Sequence, residues 1–468
     1  MTLSTLLPRG HRRPPAERGR RGFTAADPLG ALAILSVVAV VALWVMNQGG
    51  PLGLATSDRA MGSLGLLTGL LASDLMILQV VLLARIPWVE RSWGHDLLTR
   101  RHRWIGFASF WLMIAHVLLF AVERAVREPD AMLDALVRVF VTDSWMLFAT
   151  VGTVLLIMVV VTSIRAARRR LRYESWHLLH LYSYAGIAAT FPHTFVDGAD
   201  FHETWTRVYW WCLYGFAFAV TLMYRIALPV WRSLHHRLRV ESVVTEAPGT
   251  VSVALTGHHL DRMRTASGQF FVWRFLDGPG WTRGNPYTLS AAPTRDRLRI
   301  TIKAAGDGSA RAARLTPGTR ALIEGPYGTL TARQRTQPRM VLIAAGIGIT
   351  PMRALIEDTA YASGETTLIY RYSEDQHAVF ADELRAIAAD RGVELIFLPG
   401  PRRADTSWQA AGPAHLDDDA HVLKDLVPDI ARCDIYVCGP PAWITAVRKA
   451  ARGAGAHRDH VHTEEFAW

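Results

Sequence analysis

Four histidines lie at long spacings in two apolar segments, and their side chains have the chemistry to bind iron. His102 lies just before one segment and His116 within it, and His180 and His193 lie in another. In a helix each spacing corresponds to ~20 Å along the axis, so the imidazoles form two levels. Paired across two helices, they can be the axial ligands of two stacked haems. Iron with two axial histidines has no open coordination position, which favours electron transfer over ligand activation.

The second pair has a less regular spacing than the first. On an ideal helix the 13-residue step rotates His193 by ~140° away from His180. Pro192 directly precedes His193 and can kink or interrupt the helix, which would correct the rotation. His177 lies three residues before His180 and competes with it as a ligand. The sequence leaves that choice open.

A glycine-rich segment in the second half of the chain has the composition of a nucleotide-binding turn. Gly346-Ile-Gly-Ile-Thr-Pro351 follows an apolar run, and its glycines allow the backbone to approach a pyrophosphate at a helix N-terminus. Cys438-Gly-Pro-Pro441 ends a second predicted strand of the same sheet. Arg371 ends another strand, where it can meet a ribose 2′-phosphate, which favours NADPH over NADH. The predicted nucleotide-binding residues are Gly346, Gly348, Thr350, Pro351, Arg371, Cys438, Gly439 and Pro440.

Six apolar segments must position the histidines. A bilayer core needs about 20 apolar residues per helix, and each segment supplies about that number. The second segment is interrupted only by Asp74, whose role the sequence leaves open. The segments are residues 29–57, 61–84, 104–122, 144–164, 175–196 and 208–224.

The distribution of arginine predicts how these segments cross the membrane. The two ends of this region and alternate loops carry twenty arginines, against five in the intervening loops. Positive residues are enriched on the cytoplasmic side, so we expect a multi-pass protein of the cell membrane with both termini in the cytoplasm. The net charge of +10 therefore reflects membrane orientation, and we expect no nucleic-acid partner.

The composition of the 468 residues agrees with a multi-domain membrane protein. Half of the residues are apolar and the mean hydropathy is +0.14. Three cysteines are too few for a disulfide scaffold or for the four thiolates of an iron–sulfur cluster. A basic cytoplasmic tail (1–28) and a six-helix all-α transmembrane bundle (29–235) precede short strands typical of an antiparallel β-barrel (236–335). Strands that alternate with helices then predict an α/β domain with a parallel sheet (336–468).

Four motifs in this order carry a family resemblance. Asn285-Pro-Tyr-Thr-Leu-Ser290, the Gly346 and Cys438 segments, and the terminal Glu464-Glu-Phe-Ala-Trp468 together resemble the ferredoxin-reductase-type flavin/NAD(P) module. With the six-helix, four-histidine unit before them, nearly the whole chain after residue 29 resembles the ferric reductase/NADPH oxidase family. The resemblance implies that the barrel binds FAD, the α/β domain binds NAD(P)H and the membrane domain binds two haem b groups.

The resemblance also implies roles for individual residues. Tyr287 and Thr288 would stack against the flavin and hydrogen-bond to it, Cys438 would lie beside the nicotinamide, and Trp468 would cover the isoalloxazine ring until nicotinamide displaces it. Thr288, Cys438 and Trp468 are thus the predicted catalytic residues. Many soluble relatives have arginine where this chain has Asn285, so the affinity for FAD stays open, and Arg283 or Lys303 can compensate. The implied flavin-binding residues are Asn285, Pro286, Tyr287, Thr288, Lys303, Gly308, Ser309 and Trp468.

These features predict a transmembrane oxidoreductase. Electrons would pass from cytoplasmic NAD(P)H to FAD, then to an inner haem held by His102 and His180, and then to an outer haem held by His116 and His193. An external ferric chelate is the favoured acceptor. Two alternatives stay open: reduction of dioxygen to superoxide, and supply of electrons to a partner protein. The sequence does not determine the oligomeric state.

Overall fold

The computed structural model describes residues 26–47, 54, 57–127, 134, 137, 144–168, 170–171, 173–196, 203–411 and 418–465. Most of the predicted basic tail and the predicted catalytic residue Trp468 lie outside this part of the chain. The chain divides into two units, Phe23–Ile226 and Ala227–Trp468, which are described separately.

Long helices form the first unit because its segments are rich in apolar residues and contain few helix breakers. Short helices at Pro87–Trp93 and Arg165–Arg168 accompany them. The long helices in the described ranges are α1 (Ala26–Met46), α2 (Ser57–Leu82), α3 (His95–Arg127), α4 (Ser144–Ser163), α5 (Tyr173–Val196) and α6 (Thr204–Leu222).

Four stretches within the described residues are long and apolar enough to cross a bilayer. They are Ala60–Leu82, Leu97–Arg127, Ser144–Ser163 and Thr204–His236. The apolar part of α1, Gly30–Met46, is shorter, and α5 is not among the four. The histidines of α5 reduce its hydropathy. The N-terminal region is therefore a helical membrane region, with four candidate spans where the sequence predicts six.

Two helix pairs build the part of this unit that carries the histidines. Helix α2 packs against α3, and α4 packs against α5. The second pair meets at Gly152 and Gly186, where a Cβ atom on Gly152 would lie 2.7 Å from the carbonyl oxygen of Gly186. Small residues allow such close approach of membrane helices. The two pairs hold α3 and α5, and thus all four predicted ligands, in fixed registers.

Antiparallel strands begin the second unit, after helix α7 (Leu228–His236). They form two three-stranded sheets of order β1-β2-β5 and β4-β3-β6, which isolated bridges connect at Arg239–Arg320 and Leu289–Ile300. Alternating apolar residues such as Phe271, Trp273 and Ile300 fill one core. This sheet topology fits the predicted antiparallel domain. The strands are β1 (Arg239–Ala247), β2 (Thr250–Thr256), β3 (Phe270–Phe275), β4 (Asn285–Thr288), β5 (Arg297–Lys303) and β6 (Ala321–Tyr327).

A parallel five-stranded sheet follows, with an apolar core on each face. Its strands are β7 (Arg339–Ala345), β8 (Thr366–Tyr372), β9 (Glu394–Pro399), β10 (Cys433–Gly439) and β11 (Val461–Glu465). Its helices are α8 (Ile349–Asp358), α9 (Ala381–Arg391), α10 (Asp419–Leu426) and α11 (Pro441–Gly453). The strand order β11-β10-β7-β8-β9 reverses between β7 and β10. Ligands of open α/β sheets bind at such a switch point, outside the carboxyl ends of the strands.

At the opposite end of this sheet, Asp434 joins three segments. The backbone N–H groups of Thr336 and Gln337 donate to its Oδ2, and ring nitrogens of His460 and His462 lie 3.2 and 3.1 Å from its Oδ1. Burial alone would raise the pKa of Asp434. The hydrogen bonds from His462, Gln337 and Thr336 outweigh burial and hold that pKa below its usual value.

We expect Asp434→Asn to destabilise the second unit by about 2 kcal/mol, since it removes hydrogen bonds to a buried charge. A carboxylate with a depressed folded-state pKa stabilises the fold above its unfolded pKa of about 3.9. That contribution is lost as pH falls through the folded pKa. Chemical unfolding of the full chain at several pH values should therefore show a gap between wild type and variant that narrows in acid. Asp425→Asn, whose carboxylate is 65% exposed, is the matched control and should leave stability unchanged.

Candidate functional site

The histidines of the membrane unit face each other in the two predicted pairs. The ring centroids of His102 and His180 are 6.1 Å apart, and those of His116 and His193 are 6.4 Å apart. Two imidazoles on opposite sides of one metal ion, each with its nitrogen about 2 Å from the metal, have ring centroids about 6 Å apart. Both pairs therefore fit the axial ligands of a haem. Helix α5 runs unbroken through Pro192, so the interruption that the sequence allowed does not occur.

Hydrogen bonds at Nδ1 orient three of these rings. His102 Nδ1 lies 3.3 Å from the carbonyl oxygen of Gln79, and His116 Nδ1 lies 2.8 Å from that of Gly65. His180 Nδ1 lies 3.3 Å from the Ser163 hydroxyl. Metal-binding histidines hold their second nitrogen in this way, which leaves Nε2 for the metal. His177 is exposed on α5, whereas His180 is the residue whose ring packs against that of His102.

Sequence reasoning missed the glycines that make room for His116. A Cβ atom on Gly69 would lie 2.4 Å from His116 Nδ1, and Gly65 supplies the carbonyl that holds the same atom. Gly65 and Gly69 form a G-x-x-x-G pattern, which marks close approach of membrane helices. That pattern is the sequence signal that would have found them.

A cavity of about 670 Å³ adjoins the His116–His193 pair. Apolar side chains from α2, α3 and α4 provide most of its lining, together with Tyr214 of α6. Glu123, Arg124 and Arg127 contribute charged groups, and Arg127 forms an ion pair of 2.6 Å with Glu123. An apolar cavity with two facing imidazoles fits the ring of a haem.

In the second unit, the predicted flavin residues lie on β4 and its surroundings. Thr288 is 4% exposed, and its hydroxyl is a buried group without a hydrogen-bond partner among the described residues. A buried hydroxyl normally has a hydrogen-bond partner, so the Thr288 hydroxyl is suited to a hydrogen bond with a bound ligand. Burial raises the pKa of Tyr287 to about 12, so its phenol stays neutral. Pro286 lies between Asn285 and Tyr287 on the same strand.

The other flavin residues form a second group near the start of β4. A Cβ atom on Gly308 would lie 3.2 Å from Asn285 Oδ1, so the structure brings these two predicted residues together. The Ser309 hydroxyl accepts hydrogen bonds from the backbone N–H groups of Ala305 and Gly306, which shapes this turn. Lys303 is exposed at the end of β5. The glycine backbone of this group and the cation of Lys303 fit the phosphate end of a dinucleotide.

The predicted nicotinamide-nucleotide motifs meet at the switch point. Gly346 has a φ of +55°, which glycine adopts without strain, and it begins the turn from β7 into α8. A Cβ atom on Gly348 would lie 2.2 Å from the carbonyl oxygen of Cys438, so the turn contacts the end of β10 directly. Thr350 Oγ1 donates to the Ile347 carbonyl, and Pro351 lies in the first turn of α8. Gly439 and Pro440 connect β10 to α11.

Two arginines extend this site toward the edge of the sheet. Arg371 Nη2 donates to the Gly400 carbonyl at 3.3 Å, and its Nε is buried without a partner in the described part of the chain. Burial and the nearby Arg402 lower the pKa of Arg371. Arg402 bonds to backbone carbonyls, and neither arginine forms an ion pair within the described ranges. Two adjacent guanidiniums without acidic partners fit an anionic group such as a 2′-phosphate.

Cys438 is fully buried at the end of β10, and burial raises the pKa of its thiol well above the usual value. It is therefore a neutral thiol at the position that the resemblance assigns to the nicotinamide. Glu464 of β11 is its register partner, so β11 ends one residue past this point. The predicted cover, Trp468, lies beyond the described residues.

A charged network that the sequence did not reveal joins the flavin residues to the α/β domain. Arg299 of β5 donates to both oxygens of Glu383 on α9 at 3.1 Å, and buried Arg353 of α8 pairs with Glu383 and Glu357. Glu357 in turn accepts from the backbone N–H of Ala292 at 2.6 Å. Burial would raise the pKa of Glu383, but Arg353 and Arg299 together lower it. The network fixes the segment after Thr288 relative to the switch point.

Comparison with known proteins gives a family match in each of the two units. Residues 68–191 match the family described as ferric reductase like transmembrane component, and residues 342–449 match the oxidoreductase NAD-binding domain. The chain is 31% identical over 239 residues to the ferredoxin reductase component of 3-ketosteroid-9-alpha-monooxygenase from Mycolicibacterium smegmatis, a match that covers 49% of this chain and 65% of the relative. It is 28% identical to a flavohemoprotein from Bacillus subtilis, over 40% of this chain and 47% of the relative.

A solved structure also matches half of the chain. The flavohem-like FAD/NAD binding domain of nitric oxide dioxygenase from Vibrio cholerae is 23% identical, with a TM-score of 0.40 over 50% of this chain and 99% of that domain. The chain spans less than two thirds of the length of the two curated relatives, 65% and 47%.

The matched domains define an NAD(P)H-dependent oxidoreductase module attached to a helical membrane region. The chain combines a ferric reductase-like transmembrane domain with an oxidoreductase NAD-binding domain, which is the fusion of the ferric reductase/NADPH oxidase type. The family resemblance read from the motifs is thereby confirmed, as is the prediction of an NAD(P)H-dependent enzyme.

Proposed function

We propose that this chain passes electrons from cytoplasmic NAD(P)H through FAD and two haem b groups to an acceptor outside the cell. The observation that carries the proposal is the facing of His102 with His180 and of His116 with His193, at ring-centroid distances of 6.1 and 6.4 Å. When bound, FAD accepts a hydride and releases its electrons singly, and each haem iron carries one electron.

In this proposal, the nucleotide-binding residues bind NADPH and FAD and orient them relative to each other. The backbone at Gly346 and Gly348 receives the pyrophosphate, and Arg371 with Arg402 receives the 2′-phosphate, which favours NADPH. The neutral thiol of Cys438 would pack against the nicotinamide without adding charge, and Trp468 would cover the flavin, as the resemblance implies. The Thr288 hydroxyl hydrogen-bonds to the flavin, whose ring packs against Tyr287.

In this proposal, the membrane unit transfers the electrons from the flavin to the outside of the cell. We infer six spanning helices, because α1 and α5 are 21 and 24 residues long, and a bilayer core of ~30 Å needs about 20 residues. The two histidine levels are ~20 Å apart along α3 and α5, so together they bridge most of that core. His102 and His180 form the inner level if both termini are cytoplasmic, as the arginine distribution predicts.

The cavity beside the outer level favours an anionic acceptor. Arg124 and Arg127 outnumber Glu123 among its charged lining groups, and a positive lining raises the local concentration of anions. A ferric chelate with negatively charged ligands benefits from that field, whereas neutral dioxygen does not. We therefore propose a ferric chelate as the external substrate.

An anaerobic reduced-minus-oxidised spectrum of the purified, FAD-supplemented protein tests the proposal. We expect NADPH to reduce the flavin and two b-type haems per chain. Flavin reduction without a haem signal would contradict the proposal and make the histidines structural. Added ferric chelate should then reoxidise the haems without air. Reoxidation by dioxygen alone, with release of superoxide, would instead identify an oxidase, and reoxidation by neither would indicate a partner protein.

Gly69→Ala should weaken haem binding at the outer level by about tenfold or more. The added Cβ would lie 2.4 Å from His116 Nδ1, so the ring must move away from the Gly65 carbonyl, and loss of such a partner costs 10–100-fold in metal affinity. Haem content per chain and the spectrum of the remaining haem measure the effect.

Gly215→Ala on α6 is the matched control for that variant. A Cβ atom there meets nothing within 4 Å, so haem content should stay at the wild-type value. Equal haem content in the two variants would show that His116 does not need the space at Gly69.

A further inference from the structure

Asp74 is a fully buried carboxyl group in the middle of α2. Its Oδ1 accepts hydrogen bonds from Ser36 of α1 at 2.6 Å and from Tyr209 of α6 at 3.3 Å. The Ser36 and Tyr209 hydroxyls are themselves 2.9 Å apart. One oxygen of Asp74 thus joins three helices through a compact polar cluster.

The second oxygen of the same carboxyl group is left without a partner. Asp74 is 0% exposed, and within the described residues its Oδ2 has no hydrogen-bond partner. An ionised carboxylate with a bare oxygen in an apolar interior is costly, and a proton on that oxygen removes the charge. A carboxyl group that only joins the three helices would need no more than the hydrogen bonds at Oδ1. The two hydrogen bonds at Oδ1 stabilise the ionised form, and the bare Oδ2 is the atom at which a proton can bind when a further negative charge arrives nearby.

Asp74 lies close to the outer histidine level along the same helix. Gly69, whose backbone borders His116, precedes it by five residues, or ~7.5 Å of helix. Ser73 and Tyr214 line the cavity beside His116, and the Tyr214 hydroxyl hydrogen-bonds to the side chains of Ser73 and Thr194. Tyr214 also interacts electrostatically with Asp74. A change of charge at the outer level is therefore felt at Asp74 through a medium of low dielectric constant.

The hydroxyl groups that hydrogen-bond to Asp74 do not compete with it for a proton near neutral pH. In the part of the chain that the structure describes, Tyr209 and Tyr214 on α6 are the titratable side chains that interact with it. A phenol has an ordinary pKa of about 10 and stays neutral in this range. Helix α1 contributes the hydroxyl of Ser36. From α3, His116 faces the cavity as a proposed metal ligand.

We propose that Asp74 takes up one proton when an electron arrives at the His116–His193 level and releases it when the electron leaves. The proposal rests on the proposed function, which supplies the electron from reduced flavin. A hydronium ion of the solvent supplies the proton: one of its O–H bonds breaks and leaves water, and the new O–H bond forms at Oδ2, so one negative charge and one positive charge enter together. An added negative charge nearby raises the proton affinity of a carboxylate. The paired entry lowers the electrostatic cost of placing an electron inside the membrane.

Redox titration of the haem-loaded full chain at several pH values tests the proposal. We expect the potential of one haem to fall with rising pH by up to about 59 mV per pH unit, the tenfold change in equilibrium constant that accompanies one proton per electron. Asp74→Asn keeps the shape and the Oδ1 contacts but binds no proton, so its two potentials should be independent of pH. Tyr209→Phe keeps the carboxyl group and should keep the slope, with its pH window moved upward because a hydrogen bond to the carboxylate is lost.

Infrared difference spectra provide a second readout, and the wild-type spectrum alone already tests the proton uptake. Reduction of the wild-type protein should produce the C=O band of a protonated carboxyl group, and Asp74→Asn should lack it. A wild-type slope that persists in Asp74→Asn would overturn the proposal, as would pH-independent potentials in the wild type with both haems bound. A protein that binds no haem would instead contradict the proposed function itself, and the inference with it.

Discussion

Replacement of His116 by leucine is expected to remove one of the two haems and to stop reduction of an external acceptor. His116 supplies one of the two imidazoles of the outer level, and leucine offers no metal ligand. Because loss of a mere hydrogen-bond partner costs 10–100-fold in metal affinity, loss of the ligand should lower external ferric reduction by at least about 100-fold. Hydride transfer from NADPH to FAD should continue at the wild-type rate, because the nucleotide residues are unchanged. Stopped-flow absorbance of flavin and haem separates the two steps.

The matched control for this variant also settles the competition between two neighbouring histidines. His177→Leu should retain both haems, since His177 is exposed and the ring of His180 faces His102 at 6.1 Å. His180→Leu should lose the inner haem. The reverse result, in which His177→Leu loses a haem and His180→Leu keeps both, would reject the inner pair as assigned. Unchanged external reduction in His116→Leu would reject the outer pair.

The second large effect is expected for Gly348→Ala at the nucleotide site. The new Cβ atom would lie 2.2 Å from the carbonyl oxygen of Cys438, and backbone atoms cannot yield as a flexible side chain does. The turn between β7 and α8 must therefore move away from the end of β10. A misplacement of about 1 Å can cost 10²-fold in rate, so we expect flavin reduction by NADPH to slow by about 100-fold.

Single-turnover flavin reduction at several NADPH concentrations measures this change. The haem spectrum obtained with dithionite should stay as in the wild type, because the membrane residues are unchanged. Gly215→Ala, which adds the same methyl group where nothing lies within 4 Å, should reduce its flavin normally. A normal NADPH-dependent rate in Gly348→Ala would show that the contact between the turn and β10 does not position the nucleotide.

Features that depend on neighbouring residues were predictable from the sequence. The apolar runs predicted the long helices of the first unit, and the change to alternating patterns predicted the strands of the second. The glycine-rich segment at Gly346 lies where expected, between a buried strand and a helix. Local backbone preference and side-chain periodicity act over a few residues, so the order of residues is enough to reveal them.

The number of candidate spans and the course of α5 depend on more than local sequence. The sequence predicted six spans and allowed an interruption at Pro192, whereas four described stretches have the hydropathy of a span and α5 is continuous. The histidines lower the hydropathy of α5, although the rings of His180 and His193 face those of His102 and His116 on α3. Hydropathy averages over a helix and does not distinguish a polar interior face from a polar helix.

The sequence by itself determined which residues are available for chemistry: four histidines in two apolar segments, the glycine turn and the strand ends. The tertiary structure alone decided how those residues are held. The carbonyl of Gly65 orients His116 from 51 residues away, and Glu383 connects Arg299 with Arg353 across the second unit. Such contacts join groups far apart in the chain, and their geometry depends on how whole helices and sheets pack. Spacing along the sequence does not specify that packing, so these contacts are defined only in the folded protein.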